Sequence, residues 1–536
     1  IPSAPGLHRS AATISATPCQ QPGNVTAALP EELVMGHGEF QWGIVACAHL
    51  SAVMYIFHYL SIRLLAPTVD YFCKQPDQFT DMTPEEWMSV SSGSNDTKSR
   101  CTMYELPVPH QQASNGTRSV VPCTAWDYQL PAGVQTIVST WDLVCDKAYY
   151  VPLATMYYTL GSFMFVPLLA QASDKAGRRD VIYACIVVAM CATFAVFIAP
   201  TFILFVLSRL FVAASMSTLR INTFILVFEV TSPQYRDYYC SIVQFGMVAG
   251  GAAVSVLQNI ILDRQVVWVL GTMPTSLLVL GFYVVEDSPR WLLATWNIRR
   301  ARRVILLSDQ TRNLDTFSAI LRREYDRRKS DMLAEPFNHT LTDVVVNPAL
   351  RGRTAALCSI WFCVMFSLYG MYAVNPKAAS VATSLFGISC QVCSVILSYV
   401  LLKTFERKRS LEVLFAVTCG LACFLSAMVD NVPDHMSKFV YDLTLSSTLL
   451  AAFVVYTYSL ELYPTVVRAT GVSAAYFCGR LGSVASPFLE PLSNQTHPSV
   501  PPLLIAAFMI SARFLLHWLP ETKHADIPDT VKELEK

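Results

Sequence analysis

The chain has 536 residues, of which 53% are hydrophobic and only 15% are charged, a balance too apolar for a protein whose whole surface contacts water. Lysine plus arginine equals aspartate plus glutamate, at 39 residues each, so net charge gives no argument for nucleic-acid binding. This composition excludes an ordinary soluble protein and predicts a chain embedded in lipid.

The first 42 residues are polar, contain several prolines and lack the pattern of a signal peptide. The sequence begins with Ile1 rather than methionine, so we expect that residues are missing before it. We interpret residues 1–42 as an N-terminal segment outside the membrane.

Runs of about twenty mostly apolar residues, the length that a helix needs to cross a bilayer, occur at twelve places. They are numbered spans 1 to 12 and centre near Ala52, Tyr158, Val188, Phe211, Ala252, Leu277, Phe362, Val392, Phe415, Leu450, Ala475 and Ala507. Two long polar stretches, after spans 1 and 6, divide the spans into six and six. The predicted fold is all-α, with six-helix bundles at 43–285 and 353–519, a loop at 66–147, a helical linker at 286–352 and a tail at 520–536.

The positions of lysine and arginine predict which loops face the cytoplasm, because positive residues are retained on that side. The linker is rich in arginine, and the short loops with Arg178-Arg179 and Arg407-Lys408-Arg409 fall on the same side of the predicted topology. We therefore expect the linker and both termini to be cytoplasmic and the loop at 66–147 to be extracellular.

The loop at 66–147 has features of an oxidising, extracellular environment: four cysteines and two glycosylation sequons, at Cys73, Cys101, Cys123, Cys145, Asn95 and Asn115. Two disulfides are predicted, with three possible pairings. The alternative is that the cysteines stay free and the sequons are unused.

Three charged features recur in the two halves at an offset of roughly 230 residues, as in a duplicated six-helix unit. They are 174–179 with 406–409, Glu229 and Arg236 with Glu461 and Arg468, and 286–290 with 520–523. We predict a cytoplasmic gate of ion pairs that break when the gate opens, formed by Asp174, Arg178, Arg179, Glu229, Arg236, Arg407, Glu461 and Arg468. Pairs near the surface contribute only about 0–1 kcal/mol each, so several are needed. The alternative is that these residues only anchor helix ends.

Three segments at 461–468, 287–292 and 141–145 resemble signature sequences of the organic ion transporters of solute carrier family 22, within the major facilitator superfamily. The resemblance extends over nearly the whole chain. It implies alternating-access transport of small organic ions across the plasma membrane by a monomer, without enzymatic activity, cofactor or metal. The chain departs from the family pattern at Ala170, at Asp174-Lys175 and at Glu406-Arg407-Lys408, which puts the gating in doubt.

Arg480 is the ionisable residue that best indicates a binding site, because a charge inside a membrane span is costly. Its surroundings resemble the organic anion and carnitine branches of the family, and a guanidinium group can bind a carboxylate through two hydrogen bonds. His58 also matches the anion branch, and its alternative is a packing residue whose hydrogen bonds are satisfied within the protein. At two positions of span 8, Gln391 and Val395, this chain lacks the charges of the cation and anion branches, and Gln391 remains a candidate binding residue. The alternative for Arg480 is a structural role on backbone carbonyls.

Aromatic residues at or beside the cavity-lining positions of the family are expected to form flat apolar walls. With the additional charge of span 4, they complete the candidate binding residues: Phe245, Tyr369, Tyr372, Tyr456, Tyr458 and Arg220. For each aromatic residue, ordinary helix packing is the alternative.

The sequence contains no glycine-rich phosphate loop, no HExxH motif and no nucleophile elbow, which argues against an enzyme and against transport driven by ATP. The leading hypothesis is a transporter of organic anions. The alternatives are a transporter of carnitine-like zwitterions or organic cations, and a receptor that has a transporter scaffold but does not transport.

Overall fold

The computed structural model describes residues 36–531 except 68, 76–81, 84–85, 88–90, 92–100, 105–119, 259, 262, 296, 308–340, 375–380, 429–432, 524, 526 and 529–530. The predicted N-terminal segment up to residue 35, most of the linker, and the sequons at Asn95 and Asn115 therefore lie outside the described residues.

Twelve long helices occupy the places of the predicted spans. In chain order they are Glu39–Leu60, Tyr150–Ala176, Arg178–Ile198, Phe202–Val230, Pro233–Leu257, Arg264–Leu277, Pro348–Ala373, Val381–Thr404, Arg407–Met428, Asp434–Leu462, Arg468–Ala485 and Val500–Leu516. Span 6 continues through a 3-10 turn, Leu278–Leu280, into Gly281–Val284. Ten of the described helices are long and apolar enough to cross a bilayer; spans 11 and 12 have only 18 and 17 residues.

Several span boundaries follow from single residues. Gly177 separates spans 2 and 3 with a φ of 116°, a conformation that side-chain-bearing residues rarely adopt. The Thr201 hydroxyl accepts a hydrogen bond from the backbone N–H of Leu204 and so caps span 4. Pro233 occupies the first turn of span 5, where its missing N–H costs nothing.

The packing repeats between the two halves, which confirms the predicted duplication. Span 1 packs against spans 4 and 5, and span 7 packs in the same way against spans 10 and 11. The halves meet where span 2 contacts span 11 and span 5 contacts span 8. Because successive spans alternate in direction, the loop after span 1 and the linker after span 6 lie at opposite ends of the bundle, here called the loop end and the linker end.

Two equivalent glycines allow the closest helix contacts of this repeat. A Cβ on Gly250 of span 5 would lie 2.5 Å from the carbonyl oxygen of Val53, and one on Gly482 of span 11 would lie 2.5 Å from that of Phe362. These glycines are 232 positions apart, as are Glu229 and Glu461. Small residues at such crossings let helix backbones approach closely in membranes.

We expect Gly250→Ala to destabilise the N-terminal bundle by about 1–3 kcal/mol, because the added methyl group would force spans 1 and 5 apart. Gly251→Ala is the matched control, since a Cβ there meets nothing within 4 Å and alanine favours a helix. The melting temperatures of the two purified variants check this. A Gly250→Ala variant as stable as Gly251→Ala would contradict the close contact.

The loop after span 1 folds on short antiparallel strands that the sequence did not predict. Strand β1 (Tyr71–Cys73) pairs with β4 (Trp126–Tyr128), and β2 (Thr102–Tyr104) pairs with β3 (Val120–Pro122). Two disulfides, Cys73–Cys123 and Cys101–Cys145, select one of the three predicted pairings. Short helices complete the described chain outside the spans at Ile62–Leu65, Ile137–Trp141, Cys145–Lys147, Pro289–Ala294, Ile298–Leu307, Leu341–Val346, Thr465–Val467, Ser486–Phe488 and Leu489–Gln495.

Candidate functional site

A buried ion-pair network joins the two halves at the linker end. Arg178 pairs with Asp174 at 2.6 Å and with Glu229 at 3.3 Å, and Glu229 also pairs with Arg468 of the other half at 2.8 Å. The side chains of Arg178, Glu229 and Arg468 are fully buried. One carboxylate therefore neutralises two guanidinium groups that come from opposite halves.

Two further links cross between the halves at this end. Asp174 accepts hydrogen bonds of 2.7 Å from both the backbone N–H and the hydroxyl of Thr470, at the start of span 11. Arg407 of the C-terminal half pairs with Asp237 of span 5 at 2.9 Å and with Glu461 of its own half at 3.1 Å. Residues of spans 2, 4 and 5 are thus tied to residues at the starts of spans 9 and 11.

The structure changes two parts of the predicted gate. Arg179 pairs with Glu286 of its own half at 2.8 Å, and the Nε of Arg236 donates to the carbonyl of Phe228, also in its own half. The expected placement near the surface is wrong, because the central pairs are buried under the helix ends. A buried pair loses solvation but becomes costly to break, so the estimate for surface pairs does not apply.

Equivalent carboxylates also cap the helices that begin at Arg178 and at Arg407. Asp287 accepts from the backbone N–H of Arg179, and Glu521 accepts from those of Arg407 and Lys408. Partial burial alone would raise the pKa of Glu521, but hydrogen bonds from four backbone N–H groups hold it below its ordinary value. Glu521 therefore stays ionised, and a negative charge at this position stabilises the N-terminus of the helix.

A central cavity with a volume of about 40 Å³ lies between the two halves, so it has to widen before it can hold an organic ligand. Two guanidinium groups face it, Arg220 from span 4 and Arg480 from span 11, one from each half. The rest of the wall is apolar or aromatic: Tyr55, Met247, Met365, Leu368, Tyr369, Leu449, Ala452, Phe453, Tyr456, Tyr476 and Gly479.

Arg480 is held by tyrosines and only 3% exposed. It donates to the hydroxyl of Tyr369 at 3.2 Å and to the hydroxyl of Tyr476, and its Nε has no partner within the protein. Its guanidinium carbon lies 4.7 Å from the centre of the Tyr476 ring and 5.5 Å from that of Tyr55. The alternative role on backbone carbonyls is wrong for the described contacts, because the partners are hydroxyl groups.

Arg220 approaches the same aromatic wall from the other half. Its guanidinium carbon lies 4.6 Å from the Tyr456 ring centre and 5.1 Å from that of Tyr55, the ring that Arg480 also contacts. In the described part of the chain, neither arginine forms an ion pair with an aspartate or glutamate. The cavity therefore contains two positive charges that no described acidic side chain balances.

Five predicted binding residues do not line this cavity. His58 is hydrogen-bonded to Thr275 of span 6 at 3.0 Å, and Phe245 stacks on His49 with 40% of its surface exposed. The Tyr458 hydroxyl donates to the carbonyl of Pro520 after span 12. The last two are Tyr372, whose carbonyl accepts from Arg63 at the loop end, and the half-buried Gln391.

The orientation of each span around its own axis explains these differences. On span 5, Gln244 donates to the carbonyl of Phe453 in the other half, so its neighbour Phe245, about 100° further around the helix, points away. Of the predicted set, the cavity brings together Arg480, Arg220, Tyr369 and Tyr456.

The residues predicted from the sequence do not include Tyr55, Tyr476, Asp237 and Thr470. The spacing of four residues between Tyr476 and Arg480 places both on one helix face, so the position of Tyr476 could have been inferred. The other three carried no comparable signal, because their roles depend on contacts between the two halves.

This cavity is suited to bind an anion. A buried cation needs a compensating charge or hydrogen-bond acceptors, and a carboxylate supplies both in the geometry that a guanidinium prefers. The tyrosine rings would contact the apolar part of an amphipathic ligand. The network at the linker end would have to separate before such a ligand could pass that way.

Comparisons with known proteins identify the family. Residues 146–487 match the model of the Major Facilitator Superfamily. The chain is 24% identical to the "Beta-alanine transporter" of Drosophila melanogaster, over 92% of this chain and 86% of the relative. It is 25% identical to "Solute carrier family 22 member 12" of Homo sapiens, over 89% of this chain and 88% of the relative.

Solved structures agree in fold at low sequence identity. The proton:xylose symporter XylE bound to 6-bromo-6-deoxy-D-glucose superimposes with a TM-score of 0.60 at 14% identity, covering 92% of this chain and 98% of that one. The human organic anion transporter MFSD10 gives a TM-score of 0.52 at 11% identity. The match covers 89% of this chain and 99% of that one. The chain is a multi-pass membrane transporter rather than an enzyme, and it belongs to the Major Facilitator Superfamily, with relatives in solute carrier family 22.

Proposed function

We propose that the chain transports small organic anions across the plasma membrane by alternating access to the central cavity. The observation that carries this proposal is the pair of buried guanidinium groups, Arg220 and Arg480, without an acidic partner among the described residues. An organic cation would be repelled by both. A carboxylate would bring the missing negative charge.

The names of the relatives span several charge types and therefore do not select the substrate. One is a "Beta-alanine transporter" and another an "Organic cation transporter protein", both of Drosophila melanogaster. The second is 23% identical over 93% of this chain and 92% of the relative. The charge of the cavity supports an anion in preference to a zwitterion or a cation.

In the proposed cycle, the linker end is cytoplasmic, with both termini on that side. The arginine-rich linker supports this orientation, and so do the disulfides at the opposite end. The buried network holds the cytoplasmic mouth shut, and its links between the halves must break together when the cavity opens inwards. A bound anion can favour opening only through a difference in affinity between the two states.

The test is uptake by cells that express the full chain, measured with a labelled aromatic monocarboxylate, labelled carnitine and a labelled quaternary ammonium ion. We expect saturable uptake of the monocarboxylate and no uptake of the ammonium ion above that of cells without the chain. Surface labelling confirms that the protein reaches the plasma membrane.

Each other outcome selects a different function. Uptake of the ammonium ion without the carboxylate would identify a cation transporter, and uptake of carnitine alone would identify a zwitterion transporter. Carboxylate binding to surface-expressed protein without uptake would identify a receptor. Any of these results would overturn the proposal.

A further inference from the structure

A second pocket, the Arg209 pocket, lies inside the N-terminal half where spans 1, 3, 4 and 6 meet. Its volume is about 30 Å³, and it shares no lining residue with the central cavity. Its walls are mostly apolar and include Phe57, Val212 and Trp268. Arg209 is the only charged residue among those that line it in the described chain.

Arg209 is buried and only part of its hydrogen-bonding capacity is used. It is 4% exposed, and its two terminal nitrogens donate to the Ser61 hydroxyl at 3.0 Å and to the His58 carbonyl at 3.2 Å. Its Nε has no partner within the protein. Both partners are neutral, and the described residues form no ion pair with it. The guanidinium lies 4.9 Å from the centre of the Tyr158 ring, but no acidic side chain in the described chain balances its charge.

A second unpartnered donor lines the same pocket. Thr193 of span 3 is 3% exposed, and its hydroxyl has no partner within the protein. The nearby His58 ring is not available in the same way, because its Nε2 is hydrogen-bonded to the Thr275 hydroxyl at 3.0 Å. Two free donors, one on a guanidinium group and one on a hydroxyl, thus line a single apolar chamber.

We propose that the Arg209 pocket binds a small monovalent anion, for which chloride is the probe. Burial of a charge is costly unless an opposite charge compensates it, and a chloride ion would do so while accepting from both free donors. An oxyanion with four oxygens, such as sulfate, would leave most of its acceptors unsatisfied against the apolar walls. The site is separate from the central cavity and does not depend on what that cavity transports.

Binding at this place would link spans 1, 3 and 4 of the N-terminal half. Arg209 and Thr193 belong to neighbouring spans, and the guanidinium is held by the His58 carbonyl of span 1 and by Ser61, which directly follows that span. A ligand that binds only the folded half stabilises it in proportion to its occupancy. Chloride should therefore raise the thermal stability of the chain.

The experiment measures the melting temperature of the purified full chain while chloride replaces gluconate at constant ionic strength. We expect a saturable rise with chloride and none with sulfate. Thr193→Val removes one donor and should raise the half-maximal chloride concentration roughly threefold to tenfold. Thr218→Val is the matched control, because that hydroxyl already donates to the Ala214 carbonyl at 2.8 Å.

Two arginine variants locate the effect. Arg209→Gln should abolish the response, whereas Arg480→Gln should retain it, which separates this site from anion binding in the central cavity. If Arg209→Gln does not accumulate in cells, the half-maximal chloride concentration of Thr193→Val tests the proposal instead. The proposal is overturned if the wild-type chain shows no chloride response, if Thr193→Val leaves the half-maximal concentration unchanged, or if Arg480→Gln removes the response.

Discussion

Arg480→Gln is expected to reduce uptake of an organic anion by about 10-fold to 100-fold, because charge-assisted hydrogen bonds contribute about 1.5–3 kcal/mol and each 1.4 kcal/mol is a factor of ten. The variant removes the guanidinium group that Tyr369 and Tyr476 hold in the cavity. Initial uptake rates, corrected for the amount of protein at the cell surface, measure the loss.

The same substitution should not weaken the fold. Arg480 has no acidic partner in the described chain, so its removal leaves no carboxylate without a counter-charge. Arg480→Lys keeps the charge but loses the planar pair of donors. Its uptake should therefore lie between that of the wild-type chain and that of Arg480→Gln. Arg513→Gln, on the exposed face of span 12, is the matched control. Normal anion uptake by Arg480→Gln would refute the assigned role.

Glu229→Gln is expected to lower the free energy of unfolding by about 3–5 kcal/mol, the range found when one partner of a buried ion pair is removed. Glu229 neutralises both Arg178 and Arg468, and all three side chains are fully buried. The variant would remove the carboxylate that Arg468 and Arg178 share, and only Arg178 would keep its pair with Asp174 at 2.6 Å. Thermal unfolding of purified protein, or the surface level in cells, measures the effect.

Glu461→Gln provides the control at the equivalent position of the repeat. Its partner Arg407 keeps a second carboxylate, Asp237 of the other half, at 2.9 Å. The loss of stability should therefore be clearly smaller than for Glu229→Gln. Equal losses would mean that the network does not depend on one shared carboxylate.

Arg480 and the charged repeat could be recognised from sequence because each depends on a local rule. A charged residue within an apolar span is costly whichever way its side chain points. Arg480 can therefore be identified as a candidate without knowing which residues surround it. The gap of seven residues from Glu229 to Arg236 recurs from Glu461 to Arg468, which exposes the duplication. Both inferences need only the order of residues along the chain.

The sequence does not predict which side chains of a span point into the cavity. Membrane spans are apolar around most of their circumference, so the sequence carries little amphipathic signal for their rotation. That is why His58 and Phe245 were expected in the cavity, whereas Tyr55 and Tyr476 line it. The rotation of each span is set by close contacts such as that of Gly250 with Val53.

The sequence by itself therefore predicted a duplicated helical membrane chain, its two disulfides and the residues whose charge has to be compensated. Only the tertiary structure decided the disulfide pairing, the burial of the Glu229 network, the contact of Arg407 with Asp237 and the shared aromatic wall between Arg220 and Arg480. The physical reason is that these features join residues that lie far apart in the chain, and their energies depend on distance and burial, which arise only when the two halves pack together.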